Sequence, residues 1–151
     1  MGAADYYVRL SMAAAGSLRG GPAKAAIFAS AMTGSITGSA NANVATTGPF
    51  TIPMMKKTGF KPEVAAGIET AASTGGQIMP PIMGASAFLI VEFTGISYWE
   101  VVKVSILPAV LYFLSVYTIV HLEARKGGLV GIPRDQLESI PKVLFEGWYY
   151  L

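Results

Sequence analysis

"STGGQIMPP" (Ser73–Pro81) lies in the middle of the apolar run "EVAAGIETAASTGGQIMPPIMGASAFLIVEF" (Glu63–Phe93). Read as one helix, that run is long enough to cross a hydrocarbon core of about 30 Å at about 1.5 Å per residue. Gly75 and Gly76 weaken a helix there, and Pro80 and Pro81 remove two backbone donors, so amides and carbonyls are left unpaired near mid-membrane depth. Lipid cannot satisfy them. Irregular backbone at that depth is tolerated only when it is buried in protein or lines a polar cavity, as in the discontinuous helices of secondary transporters. A proline kink packed against its neighbours is the alternative, but paired Gly and paired Pro so close together favour a true break. The sequence therefore predicts a discontinuous transmembrane helix over residues 62–94.

Upstream of the break, "SITGSANANVATTGPFTIPMMKK" (Ser35–Lys57) places Ser, Thr, Asn and Gly between apolar flanks and closes on a lysine pair. Pro22–Ile36 and Val44–Met55 would form helices of about 20 Å each, too short to cross singly. They predict a re-entrant hairpin over residues 22–57, with Pro22 in the first turn of one arm and "TGSANAN" (Thr37–Asn43) as the tip. A polar, uncharged tip carried into the protein offers amide, hydroxyl and carbonyl oxygens suited to a small hard cation. An extramembrane loop between two short helices fits the composition as well.

Downstream, "YWEVVKVSILPAVLYFLSVYTIVH" begins at Tyr98 and predicts a spanning helix over residues 98–122. Tyr98 and Trp99 suit an interfacial belt, Pro108 a kink, and Lys103 a side chain that snorkels to the interface. Residues 1–21 read as an interfacial helix lying along the membrane, residues 123–146 as a loop in water, and residues 147–151 as the start of a further membrane helix that is cut off. With this topology, ten of the 11 basic residues share one side, all but Lys103. By the positive-inside rule that side is cytoplasmic.

Composition agrees with a lipid environment: 52% of residues are hydrophobic, 13% are charged, and mean hydropathy is +0.50. An ordinary soluble domain carries roughly 25% charged residues. The net charge of +2 is small and its basic residues scattered, which argues against a nucleic-acid surface. No cysteine and a single histidine exclude a disulfide framework, a thiolate nucleophile and a Cys/His zinc cluster. Asp5 and Arg9 stand where a signal peptide would need an apolar core, so insertion is expected from internal segments. No nucleophile elbow or P-loop spacing is present, and no enzyme is expected.

Three titratable residues stand out. Glu69, in the first half of the broken helix, is a functional suspect as a proton or cation partner, or else faces a cytoplasmic cavity. Glu92 suits an interfacial position, and His121 a helix-end cation.

The hairpin tip followed by "TTGPFTIPMMKKTGF", then "AASTGGQIMPPIMGA", then "LEARKGGLVGIPRDQL", together resemble the large membrane subunit of TRAP (tripartite ATP-independent periplasmic) transporters. The likeness runs from Leu18 to about Pro133 and looks closest to the fused form, in which small and large subunits share one chain. It implies an all-α integral membrane protein of the bacterial or archaeal cytoplasmic membrane. The chain would be one inverted-repeat half of an elevator-type transporter. The implied activity is import of organic acids, commonly carboxylates, on a sodium gradient. The implied partners are an extracytoplasmic substrate-binding protein, for the fused form often of the TAXI type, and a small subunit or its fused equivalent. No cofactor is implied beyond sodium as coupling ion.

In this family a sodium site forms where the tip meets the break, which here maps onto Ser39, Asn41 and Asn43 and onto Thr74, Gly75 and Gly76. Family tips read more like Gly-Ser-Ser-x-Ala-Asp, whereas this one has no acid. Ser39, Asn41, Asn43 and Thr74 side chains with carbonyls near Gly38, Gly75 and Gly76 would then supply neutral oxygen ligands. Half-helix N-termini beside the same breaks make Asn43, Val44 and Gln77 the candidates for a substrate carboxylate. An elevator site needs two repeats and this chain carries one set, so a fragment is expected. An ion channel with a re-entrant filter and a membrane scaffold module are the rival readings.

Overall fold

The computed structural model describes residues 2–147, and every regular element among them is helical. Helix α1 (Gly2–Ala15) is followed by α2 (Gly21–Thr37) and α3 (Ala40–Lys57), then α4 (Pro62–Gly75) running into a single 3-10 turn (Gly76–Ile78). After an irregular stretch come α5 (Ala85–Thr94), the long α6 (Tyr98–Lys126), a short 3-10 turn (Arg134–Gln136) and α7 (Ile140–Gly147).

The expected hairpin is α2 and α3, with a much shorter tip than the sequence suggested. Gly38 adopts φ 61° and its amide donates to Gly34 O at 2.8 Å, closing α2 as a left-handed cap open to glycine. Ser39, in extended conformation, then caps α3 by accepting from the Ala42 amide at 3.4 Å. Two residues therefore make the turn, and Asn41 and Asn43 lie in the first turn of α3 rather than on a loop. The arms lengthen to 17 and 18 residues, about 25 Å each.

The break is present. Helix α4 stops at Gly75, the Pro80-Pro81 bond is cis, and helix resumes only at Ala85. Helix α6 starts where expected, behind a capping box in which Ser97 accepts from the Glu100 amide and Glu100 accepts from the Ser97 amide. At 29 residues it is the one helix among those described that is long and apolar enough by length and composition to cross a membrane.

One flanking expectation changes. Helix α1 packs along α2 and buries Tyr6, Tyr7 and Val8. The segment after α6 is not all loop. Val143 of α7 inserts against Tyr6 and Tyr7, and Arg9 grips Glu138 through both oxygens at 2.8 Å and Glu146 at 2.7 Å. An apolar patch on α1 and a basic residue beside it thus give the charged tail a surface to fold on. The expected truncated helix at residues 147–151 lies outside the described residues beyond Gly147.

The main core lies where α2, α3, α4 and α6 meet, around Ile27, Met55, Phe60, Ala65, Ala72 and Val120.

Candidate functional site

Helix α2 crosses the break with no side chain between the two backbones. A methyl group placed on Gly34 would lie 2.6 Å from the Gly76 Cα and 3.0 Å from Asn43 Nδ2, and one placed on Gly76 would lie 2.7 Å from the Gly34 Cα. Only glycine at both positions allows that approach. The stretch after the break is fastened to the hairpin by the Ile82 amide, which donates to Ser35 O at 3.2 Å, and back to the 3-10 turn by the Gly84 amide, which donates to Gln77 O at 2.7 Å. Tyr98 at the head of α6 donates its single hydroxyl hydrogen within reach of two carbonyls of the same stretch, Pro81 O at 2.7 Å and Ile82 O at 2.6 Å.

Asn43 sits fully buried at this joint. Its Nδ2 donates to Ser30 O at 2.8 Å, whereas its Oδ1 is buried with no hydrogen-bond partner. A buried acceptor left unpaired is costly, and what the site lacks is a donor or cation for this oxygen. Hydrogen bonding thus singles out Asn43 among the residues named from sequence.

The others are distributed around it. Gly38 lies against Gly84, whose own Cβ position would be 3.1 Å from Gly38 O, so the tip abuts the irregular stretch. Ser39 and Asn41 are exposed beside the tip, and Val44 is half-buried one residue beyond Asn43. Gln77 is exposed on the 3-10 turn. Thr74 is exposed, and its hydroxyl donates at 2.8 Å to Thr70 O of its own helix. Gly75 faces away from the tip: a methyl group there would meet the Tyr112 ring at 2.6 Å. The structure therefore joins Gly38, Asn43 and Gly76 to the tip–break contact, and turns the Thr74 side chain and the Gly75 Cα elsewhere.

A second polar centre lies one to two turns below, and the sequence pointed to just one of its members. Glu69 has no exposed surface, so it does not face a cytoplasmic cavity. Its Oε1 accepts from Ser30 of α2 at 3.1 Å, from Thr47 of α3 and from Ser73 of α4 at 3.2 Å, and its Oε2 accepts from Thr51 at 2.6 Å. The missed signal is spacing. Thr47 and Thr51 are four apart on α3, as Glu69 and Ser73 are on α4, which stacks each pair on one helix face.

Among the described residues the other buried charged side chain is Lys24, near the start of α2, with Nζ 3.1 Å from His121 Nδ1 and 4.6 Å from the centre of the Tyr117 ring. An ammonium has only hydrogens to give, so Nδ1 accepts, and His121 is a partner for a cation rather than the helix-end cation expected. Glu92 is exposed near the end of α5, in keeping with an interfacial position.

Outside the membrane-spanning elements, the guanidinium of Arg9 holds the Glu138 carboxyl below its ordinary range by hydrogen bonding and charge, against a smaller opposing effect of burial.

The family model described as "Tripartite ATP-independent periplasmic transporter, DctM component" matches residues 1–151. The chain is 30% identical over 97% of its length to the C4-dicarboxylate TRAP transporter large permease protein DctM of Vibrio cholerae serotype O1. It is 28% identical over 91% of its length to the protein of the same name from Pseudomonas aeruginosa. An uncharacterized protein of Salmonella typhimurium, YgiK, is 32% identical over 83% of the chain. The chain spans only 30% and 32% of the two DctM relatives. The family match covers every residue of the chain, and the chain belongs to the DctM family of tripartite ATP-independent periplasmic transporters.

Proposed function

We propose that this chain supplies one ion-and-substrate half-site of a secondary transporter permease that imports organic acids, C4-dicarboxylates among them, on a sodium gradient. It would be one inverted-repeat half of an elevator-type carrier in the cytoplasmic membrane. Its partners would be a small subunit or fused equivalent and an extracytoplasmic binding protein, with the TAXI type suggested by the likeness to fused forms.

The observation that carries the reading is the buried, unpartnered Asn43 Oδ1 at the crossing of Gly34 and Gly76. An acceptor with no donor available is what a cation can use and what a hydrogen-bonded core avoids. Asn43 and the Ser39 hydroxyl, with carbonyls of Gly38 and Gly76, are the groups of this joint that would hold sodium. Neutral oxygens suit a monovalent ion, because a bare carboxylate would carry a large desolvation cost whenever the site is empty. Asn41, Thr74 and Gly75 remain in the proposal as outer ligands, reached by rotation of side chains or by carbonyls. The N-terminus of α3 has no acidic residue in its first turn, so its partial positive charge is free to meet a substrate carboxylate beside Asn43, Val44 and Gln77.

The test is the thermal stability of the complete transporter in detergent, titrated with NaCl against KCl at matched ionic strength. A ligand bound only by the folded state raises stability as RT ln(1 + [L]/Kd). We expect a sodium-only rise that disappears in Asn43→Ala and survives in Thr74→Ala. Equal curves in the two salts would overturn sodium coupling at this joint.

A further inference from the structure

We propose that the C-terminal end of α6, where it meets the start of α2, holds one anionic phospholipid. Its phosphate would sit on Arg19 and Arg125, and one acyl chain would lie in the groove between α2 and α6. The proposal is independent of the sodium reading.

The groove supplies the seat for the tail. It has a volume of about 380 Å³, and its walls are aliphatic and aromatic, with Leu18, Phe28, Met79, Val110, Leu114 and Tyr117 among them. Leu18, Phe28, Val110 and Leu114 each stand about half exposed. On α6, Val110, Leu114, Tyr117 and His121 follow at spacings of three or four residues and so share one face. From His121 to Val110 that face runs about 16 Å at about 1.5 Å per residue, close to half of a hydrocarbon core of about 30 Å. The groove therefore has the depth of one leaflet.

At its mouth three cations gather without an anion. A methyl group on Gly20 would lie 2.6 Å from the Ala124 Cβ, so the turn between α1 and α2 packs on the end of α6. Arg19 and Arg125, each next in sequence to that contact, are thereby brought to the same end, and both are exposed. Lys24 is only 3% exposed, one turn along α2 from Phe28 and with Nζ over the Tyr117 ring. The rings of Phe28 and Tyr117 stand 6.3 Å apart, so Tyr117 borders both the charge and the groove. The positive charges of Lys24, Arg125 and Arg19 all act on the His121 ring. Among the described residues the ion pairs involve Arg9 and Lys142 alone, which leaves these three cations with no carboxylate partner. Glu123, two residues beyond His121, instead lines the groove between α6 and α4.

Like charges gathered in this way repel, and a buried cation without an anion is costly. A phosphate at the mouth relieves both. A guanidinium offers it parallel N–H donors and stays charged, so Arg19 and Arg125 make the contact while the buried Lys24 adds its field from behind. A free anion would use only the mouth, and a neighbouring helix only the groove. An anionic lipid uses both, and basic pockets between membrane helices recognise such headgroups.

The experiment is the thermal stability of the complete transporter, delipidated in detergent and kept in KCl without sodium. It is titrated with phosphatidylglycerol, with phosphatidylcholine of the same acyl chains, and with glycerol phosphate. We expect phosphatidylglycerol to raise the unfolding midpoint at lower concentration than phosphatidylcholine, and glycerol phosphate to leave it unchanged. In the double variant Arg19→Gln and Arg125→Gln the phosphatidylglycerol curve should move to about 30-fold higher lipid, roughly fivefold for each arginine. Both side chains are exposed, so that variant keeps the fold. Leu114→Trp fills the groove and should weaken the response to both lipids. Equal curves for the two lipids, or a double variant that responds as wild type does, would overturn the site. A response to glycerol phosphate matching that to phosphatidylglycerol would make it a free-anion site and overturn the lipid. Lipid curves unmoved by Leu114→Trp would overturn the seat of the tail and give the groove to another helix of the transporter.

Discussion

The joint of α2, α3 and α4 and the outer pair α5 and α6 invert the pattern of a water-soluble protein. The joint is built from Ser30, Asn43, Thr47, Thr51, Glu69 and Ser73, all buried. The outer pair presents Phe93 at 83%, Trp99 at 67% and Val104 at 73% exposure. In water the first would be costly and the second would aggregate. Against lipid or apolar protein both are stable, because the apolar face needs no hydrogen bonds and the polar groups, Asn43 Oδ1 apart, find theirs inside. Specificity of fold is therefore concentrated in the joint, where each hydroxyl has an assigned partner, and the outer surface is held to hydrophobicity rather than to shape.

Substitutions should show that contrast as a gradient of cost. The largest effect is expected at the two-glycine crossing. Gly34→Val forces backbone apart along α2 and the break and should cost about 3 kcal/mol or more, seen as loss of the monodisperse peak on size exclusion in detergent. A folded variant of near wild-type stability would mean the close crossing is dispensable. Next, Ser30→Ala removes one donor from the Glu69 cradle while leaving the helix intact, and should destabilise by about 1–3 kcal/mol in thermal unfolding.

At the contact of α1 with α7, Arg9→Ala breaks half-exposed ion pairs and should cost about 0.5–1 kcal/mol, since solvent screens them. This contribution depends on pH with a definite sign. The Glu138 carboxyl is depressed in the folded state, so its share of stability is complete above the ordinary carboxylate range and is lost as pH falls through the lowered value. Arg9→Ala should remove that acid sensitivity, which thermal unfolding between neutral and acidic pH would register. The smallest effect belongs to the outer surface. Val104→Leu should stay within about 0.5 kcal/mol of wild type, and a larger loss would show that α6 is packed as selectively there as the joint is.

Much of this organisation is written in local sequence. Paired glycine and paired proline fix the break at Ser73–Pro81 because their backbone limits act whatever surrounds them. The Ser97 and Glu100 capping box fixes the start of α6 for the same reason. The hairpin was legible too, but not its tip, because Gly38 and Ser39 end and restart a helix in two residues and free the asparagines to join α3. What only tertiary structure decided is which polar groups meet. Glu69 stood out as an ionisable residue in an apolar run, but its partners come from three helices. That α7 folds at all depends on Tyr6, Tyr7 and Arg9 far earlier in the chain. Backbone breaks and caps are set by neighbours in sequence, whereas the satisfaction of a buried polar atom is set by whatever packing brings within about 3 Å of it.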